Sequence, residues 1–390
     1  MIVIRTIAIT AVLLTVAPSP APACSLCHQV LGSKQQTLRM HFASAKVVLY
    51  GQLKNPRFDP ATDKGTTEFS IRGILKDNPA RANRVALTLP QYLPVIGDTP
   101  PDCLLFCGVV DGVLDPTHIF TAPAAVVEYV KAAVTCDDTD PAKKLGFFFK
   151  YLDAADPRIA EDAFLEFARA SDSEILKAAG QLDPVKVRKL LTDPTTPIDR
   201  LGVFALLLGM SGTPDDAAFL ARMVKESPLS DRASAAFGGL LAGYILLTPK
   251  DGWAFTAAIV ADEKRGYAER LSAIGTIRFF QATRPIACKP EVLACYAALL
   301  PHGDLADQAI EDLQRWGYWD LTAEVLAQYG KPTHAAPLVR RSILRYALTC
   351  PTDSARQFVA TVRQSDPKLV QDVETMLAQF APALQKPNPK

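Results

Sequence analysis

From about Pro141 almost to its end, this chain repeats one local device: a capping residue, then proline, then an apolar stripe at helical spacing. Asp140-Pro141, Asp156-Pro157, Asp183-Pro184, Thr213-Pro214, Thr248-Pro249 and Asp366-Pro367 all carry it. An Asp or Thr oxygen can accept from the orphan N–H groups of a first helical turn, and proline at the first helical position forfeits no hydrogen bond. The stripes are explicit: Ile159, Ala163 and Phe167; Leu305, Ala309, Leu313 and Trp316; Val339, Ile343 and Tyr346. Similar segments, such as Asp199-Arg-Leu-Gly-Val-Phe-Ala-Leu and Asp231-Arg-Ala-Ser-Ala-Ala-Phe-Gly, recur about every 30–45 residues, the range of stacked helix pairs. The pattern predicts an α-solenoid over residues 141–381 with a disordered tail at 382–390.

Residues 44–135 have another texture. Lys46-Val-Val-Leu-Tyr-Gly51, Thr66 to Arg72, Arg84 to Leu89 and Leu104 to Val110 read as strands, the second and third by period-2 alternation. Asn55-Pro56, Asp63-Lys-Gly65, Asp77-Asn-Pro79 and the proline-rich 94–101 stretch read as the turns between them. Ala122 to Val134 reads as a helix. Short strands with flanking helices predict a small β-barrel. The expected fold class is therefore multi-domain α+β: a small OB-like barrel at 24–136, then an all-α solenoid.

The first 23 residues predict export. Arg5, the apolar Ile7–Ala17 and the exit Ala21-Pro22-Ala23 are the three parts of a signal peptide. The apolar stretch is too short to span a bilayer as a helix. Cleavage would leave Cys24 first, in a periplasmic or extracellular protein. A lipobox would place Leu where Ala21 stands, so lipidation is not expected. With 42 basic and 41 acidic side chains there is no excess to neutralise a phosphate backbone, so no nucleic-acid partner is expected. No second long apolar run predicts a membrane span. Eight cysteines split five and three between the halves, so either one bridge joins the halves or each keeps a free thiol.

The helical pattern resembles the HEAT and armadillo class of repeats. The first region is similar to the netrin-like module, the OB-type barrel of tissue inhibitors of metalloproteinases. The resemblance rests on the pair Cys24 and Cys27, on Ala45-Lys-Val-Val-Leu-Tyr-Gly51, on Phe69-Ser-Ile-Arg-Gly-Ile-Leu-Lys76 and on the late Cys103–Cys107 strand. It implies a disulfide-pinned start, with Cys24, Cys27, Cys103 and Cys107 as candidates. It also implies a zinc-chelating role for the α-amine and carbonyl of Cys24, as in the inhibitors. Those begin Cys-x-Cys, whereas this chain has Cys-x-x-Cys. The two-part layout resembles secreted bacterial proteins.

Cys24-Ser-Leu-Cys27-His28 carries the sharpest chemistry. It satisfies C-x-x-C-H, the haem-attachment pattern, with His28 as an iron ligand and Met40 or His41 as a distal one. It equally fits a redox dithiol at the start of a Gln29–His41 helix, or a structural disulfide anchor. The anchor is the leading expectation, and with it no cofactor. Asp137 to Asp140 reads as a linker capping the next helix, and Asp59 and Asp63 as turn residues. His302 and His334 read as turn residues at repeat boundaries. Trp316, Tyr318 and Trp319 read as a packed corner or a partner-binding patch. The sequence has no G-x-S-x-G, H-E-x-x-H, G-x-x-x-x-G-K-[ST] or G-x-G-x-x-G. No catalytic residue and no metal ligand is assigned. The expected function is a non-enzymatic binding or scaffold protein with a protein partner. A redox or haem protein and a protease inhibitor acting through Cys24 are the alternatives.

Overall fold

The computed structural model describes residues 35–95, 100–226 and 231–384. After a short helix α1 (Leu38–Ser44) come five strands: β1 (Val47–Asp59), β2 (Lys64–Lys76), β3 (Ala86–Leu89), β4 (Asp102–Val110) and β5 (Val113–Thr121). They form one antiparallel sheet in the order β3-β2-β1-β4-β5. β1 is central and covered on both faces, which is why Val47, Val48 and Leu49 are three consecutive apolar residues, all wholly buried. One face, with Val48, Leu104 and Phe106, shares a continuous core with the helices that follow. The other gathers Val47, Leu49, Phe69, Leu87, Leu105 and their neighbours into a second core.

Four strands lie where the sequence pattern placed them, and β5 is an addition. Val113-Leu-Asp-Pro-Thr-His-Ile-Phe-Thr121 holds a proline and is largely exposed, both tolerable only on an edge strand. Asp111 (φ 50°) and Gly112 (φ 78°) link it to β4, and Val110 pairs with Val113 across this two-residue turn. Asn55-Pro56, expected as a turn, lies inside β1. The register with β2 shifts between Lys54 and Arg57, and Asn55 takes a φ of 48°. The extra residues become a bulge because asparagine tolerates the left-handed region and proline has no N–H to pair. The strand expected from Arg84 starts later: Val85, in alternation with Leu87 and Leu89, precedes β3 and is 79% exposed.

Helices α2 (Ala124–Ala133), α3 (Pro141–Phe149) and α4 (Pro157–Arg169) open the helical region, which continues to the helix Pro367–Leu384. The expected tail at 382 is thus helical as far as Leu384. The Asp-Pro starts behave as expected. Asp140 accepts from the N–H groups of Ala142 and Lys143, Asp156 from Arg158, Asp183 from Val185 and Asp366 from Leu369. The Thr-Pro starts do not. The Thr248 hydroxyl donates backward to the Tyr244 carbonyl at 3.0 Å, and that of Thr213 donates to Asp216 at 2.8 Å. A carboxylate can only accept, whereas a hydroxyl has a proton to place.

The most apolar helices, Leu201–Ser211 and Phe237–Leu247, are packed backbone to backbone. A Cβ on Gly239 would lie 1.9 Å from the Gly202 carbonyl oxygen, and one on Gly209 2.2 Å from the Gly243 Cα. Only glycine permits that approach. The six described cysteines are free. Cys103 and Cys107 lie in β4 opposite Gly51 and Val47 and are buried in the second core, while Cys24 and Cys27 lie outside the described residues.

Candidate functional site

Helix α1 has only seven residues, too few to be stable alone, and its neighbours hold it at both ends. At its start the Thr37 hydroxyl accepts from the Met40 N–H. The Leu38 N–H donates to Asp162 of α4 at 2.6 Å, and the hydroxyl of Tyr129 from α2 donates to the other oxygen of that carboxylate at 2.7 Å. At its end the Lys76 ammonium, from β2, donates to the carbonyls of Phe42, Ala43 and Ala45 at 2.9, 3.2 and 2.6 Å. A cation there also complements the negative end of the helix dipole. Arg39 reaches across to Asp138 at 2.8 Å and to Glu166 at 3.6 Å, with its guanidinium over the Phe148 ring.

Asp162 and Glu166 are one turn apart on α4 and are 4% and 8% exposed. Burial pushes the Asp162 carboxyl up to about 6, outweighing the bonds from Leu38 and Tyr129. Burial raises Glu166 as well, against the opposing pull of Thr37, Arg39 and Lys144. The Tyr129 hydroxyl is pushed up by burial and by the neighbouring Asp162.

Two clefts flank α1. One, of about 390 Å³, is lined by Arg39, Met40, Lys144, Glu166 and Arg169 among others. The other, of about 550 Å³, is lined by Gln35, His41, His118, Phe120, Arg158 and Asp162 among others. His118 stands opposite Phe106 in the β4–β5 ladder and so faces α1. The His41 and His118 ring centroids are 4.3 Å apart with planes at 41°, and Phe106 and Phe120 stack behind them. Burial, then the proximity of His118, lowers the pKa of His41.

The residues singled out in the sequence divide sharply here. Cys24, Cys27 and His28 lie outside the described residues. Met40 and His41 line different clefts on opposite sides of α1. Cys103 and Cys107 belong to the second core, on the sheet face away from both clefts. Asp140 caps α3, Asp137 bonds Thr139, and Asp59 bonds Ala61 and Thr62, all turn and cap roles. His334 ends the short 3-10 turn Pro332–His334, as expected, and is wholly buried there, its ring bonded to the Leu300 carbonyl and Thr333. Trp316 stacks on buried Tyr296, Tyr318 donates to Gln281, and Trp319 meets Tyr346 edge-on. Each of the three half-buried rings thus has its own anchor. Asp162, Glu166, Tyr129 and His118 went unnoticed in the sequence. The only local signal was an acidic pair at i, i+4 beside the Ile159–Ala163–Phe167 stripe. No group of three His, Cys, Asp or Glu side chains converges among the described residues. No family model, no curated protein and no solved structure matches this chain.

Proposed function

We propose that this chain is an exported, non-enzymatic binding or scaffold protein. A barrel-like sheet unit, pinned near its start by disulfide chemistry at Cys24 and Cys27, precedes a HEAT-like solenoid that offers a protein partner an extended docking face. One observation carries the reading: many side-chain contacts of the helical region join residues between 28 and 39 positions apart, about one helix pair along the chain. Lys186 bonds Asp153 (33 residues away), Arg270 bonds Asp304 (34), Arg278 bonds Asp312 (34), His334 bonds Leu300 (34) and Ser342 bonds Glu311 (31). Units that bond only to their neighbours are the mark of a quasi-one-dimensional stack, whose long faces stay available to partners. Near-neutral charge favours a protein over a nucleic acid. No helix among the described residues is long and apolar enough to cross a membrane. Trp316, Tyr318 and Trp319 are the proposed aromatic part of the docking face.

Intact mass of the protein purified from its exporting host, with and without reductant, is the first test. A chain starting at Cys24 that gains only the hydrogens of reduced bridges is the expected result. A haem-sized increment surviving reduction would replace the scaffold with the haem reading. The partner is then sought by cross-linking in the host, followed by reconstitution from purified components. A one-to-one complex weakened by Trp319→Ala is expected. Catalytic turnover abolished by a single polar substitution overturns the proposal.

A further inference from the structure

Four of the five histidines are among the described residues, and two of those are committed to hydrogen bonds. His302 meets Glu263 at 2.8 Å, and His334 sits between Thr333 and the Leu300 carbonyl. His41 and His118 differ. They come from α1 and β5, face each other at 4.3 Å, and neither imidazole has a hydrogen-bond partner among the described residues. Both line the 550 Å³ cleft. Two imidazoles tilted at 41° to each other, with no hydrogen-bond partner among the described residues, have one strong use for their lone pairs.

We propose that His41 and His118 form a two-nitrogen site for a divalent transition-metal ion of the zinc, nickel or copper class. Imidazole is a preferred ligand for all three ions. Metal–nitrogen bonds of about 2.0–2.1 Å at angles between roughly 90° and 110° put two ring centroids about 4.5–5 Å apart, so small side-chain rotations close the pair on an ion. Ligation uses the lone pair of the neutral imidazole. Asp162 is not a third ligand: it is held by Leu38 and Tyr129, and no third His, Cys, Asp or Glu side chain converges on the pair among the described residues. The Arg158 guanidinium, the cation nearest the cleft, is paired with Asp156 and the Thr121 carbonyl, while Glu161 adds negative charge at the rim. Water or a group carried on the ion fills the remaining positions, which makes the ion exchangeable rather than structural.

The test is calorimetric titration of the metal-free full chain with Zn²⁺, repeated with Ni²⁺. One equivalent is expected to bind, with affinity falling by more than about tenfold in both His41→Asn and His118→Gln, since losing a direct ligand costs more than losing a group that only orients one. His118 is exposed on an edge strand, so His118→Gln keeps the test readable should the α1 variant fold poorly; thermal unfolding of the metal-free variants checks this. The combined variant Cys24→Ser, Cys27→Ser, His28→Ala is expected to bind as the parent does. No binding by the parent, unchanged binding in His118→Gln, or loss of binding in the Cys24/Cys27/His28 variant overturns the site.

Discussion

Two buried aspartates, Asp216 in the helical region and Asp162 in the seam under α1, are almost equally hidden, at 1% and 4% exposure, and titrate in opposite directions. Burial pushes both upward. Asp216 nevertheless falls below the usual carboxylate range, because the Thr213 N–H and hydroxyl and the Arg188 guanidinium all bond to it. Asp162 has two neutral donors and no cation in contact, and rises to about 6. The same contrast holds more widely. In the helical region Asp312 is wholly buried yet accepts from Arg278, Tyr296 and Arg315, and the buried Arg270 meets Asp304. The seam keeps an acid pair and an imidazole pair that nothing neutralises fully. Buried charge matched by an opposite charge from the next helix serves the stack, whereas unmatched titratable groups beside an open cleft are free to meet something else.

The hardest way to break this comparison is at Asp312. Asp312→Ala leaves the Arg278 guanidinium and the Tyr296 hydroxyl without their shared acceptor, and removing one partner of a buried pair costs about 3–5 kcal/mol. Urea unfolding at pH 7 should show the midpoint falling sharply. A loss no larger than that of an exposed ion pair, below about 1 kcal/mol, would mean the helical region does not depend on its matched charges.

Asp162 gives the next largest effect, with pH as the variable. Its folded pKa lies above its unfolded one, so the folded state binds the proton more tightly. The stability this contributes is full below about pH 4 and is lost as pH rises through about 6. The span from 3.8 to about 6 corresponds to about 3 kcal/mol. Asp162→Asn keeps an acceptor for the Leu38 N–H and cannot ionise, so stability against urea should decline less between pH 4 and pH 7 than in the parent. Equal slopes for the two proteins would show that Asp162 keeps an ordinary pKa.

Much of the architecture was legible because its causes are local. Asp-Pro starts and stripes such as Val339, Ile343 and Tyr346 announce helices within a few residues, and the β-branched run at Val47–Leu49 announces a strand. What was missed has causes far away in the chain. Asp162 and Glu166 read as the polar side of an amphipathic helix, because the Leu38 N–H that explains one of them is 124 residues upstream. His118 was hidden with β5, whose proline and exposed pattern mask a strand; the Asp111-Gly112 turn was its one local signal. Asn55-Pro56 carried turn chemistry that the sheet used for a bulge.

Lys76 tests how firmly the seam is held. Lys76→Met keeps the apolar stem and removes three bonds to the last carbonyls of α1. Charged hydrogen bonds of this kind, partly repaid by water, are worth about 1–2 kcal/mol together. Amide exchange should speed up in residues 38–45 and remain unchanged in the helices beyond Pro184. A uniform loss of protection across the chain would mean that the seam and the helical region unfold as one unit.

The smallest effect separates two ways of starting a helix. α1 adds a carboxylate from a distant helix to its own Thr37 cap, whereas a helix such as Pro184–Thr192 carries its cap with it. Asp183 accepts from the Val185 N–H, so Asp183→Ala should cost about 1 kcal/mol, the usual worth of such a cap. Thr248 also precedes a proline, but its hydroxyl is turned back to the Tyr244 carbonyl and caps nothing ahead of it. Thr248→Ala should therefore cost only a few tenths of a kcal/mol, within the range of ordinary surface substitutions. Paired thermal melts resolve the difference, because the two sites differ in which way the oxygen's bonding runs. Equal losses would mean that the Thr248 hydroxyl turns forward in solution and that the proline alone does not set where the helix begins.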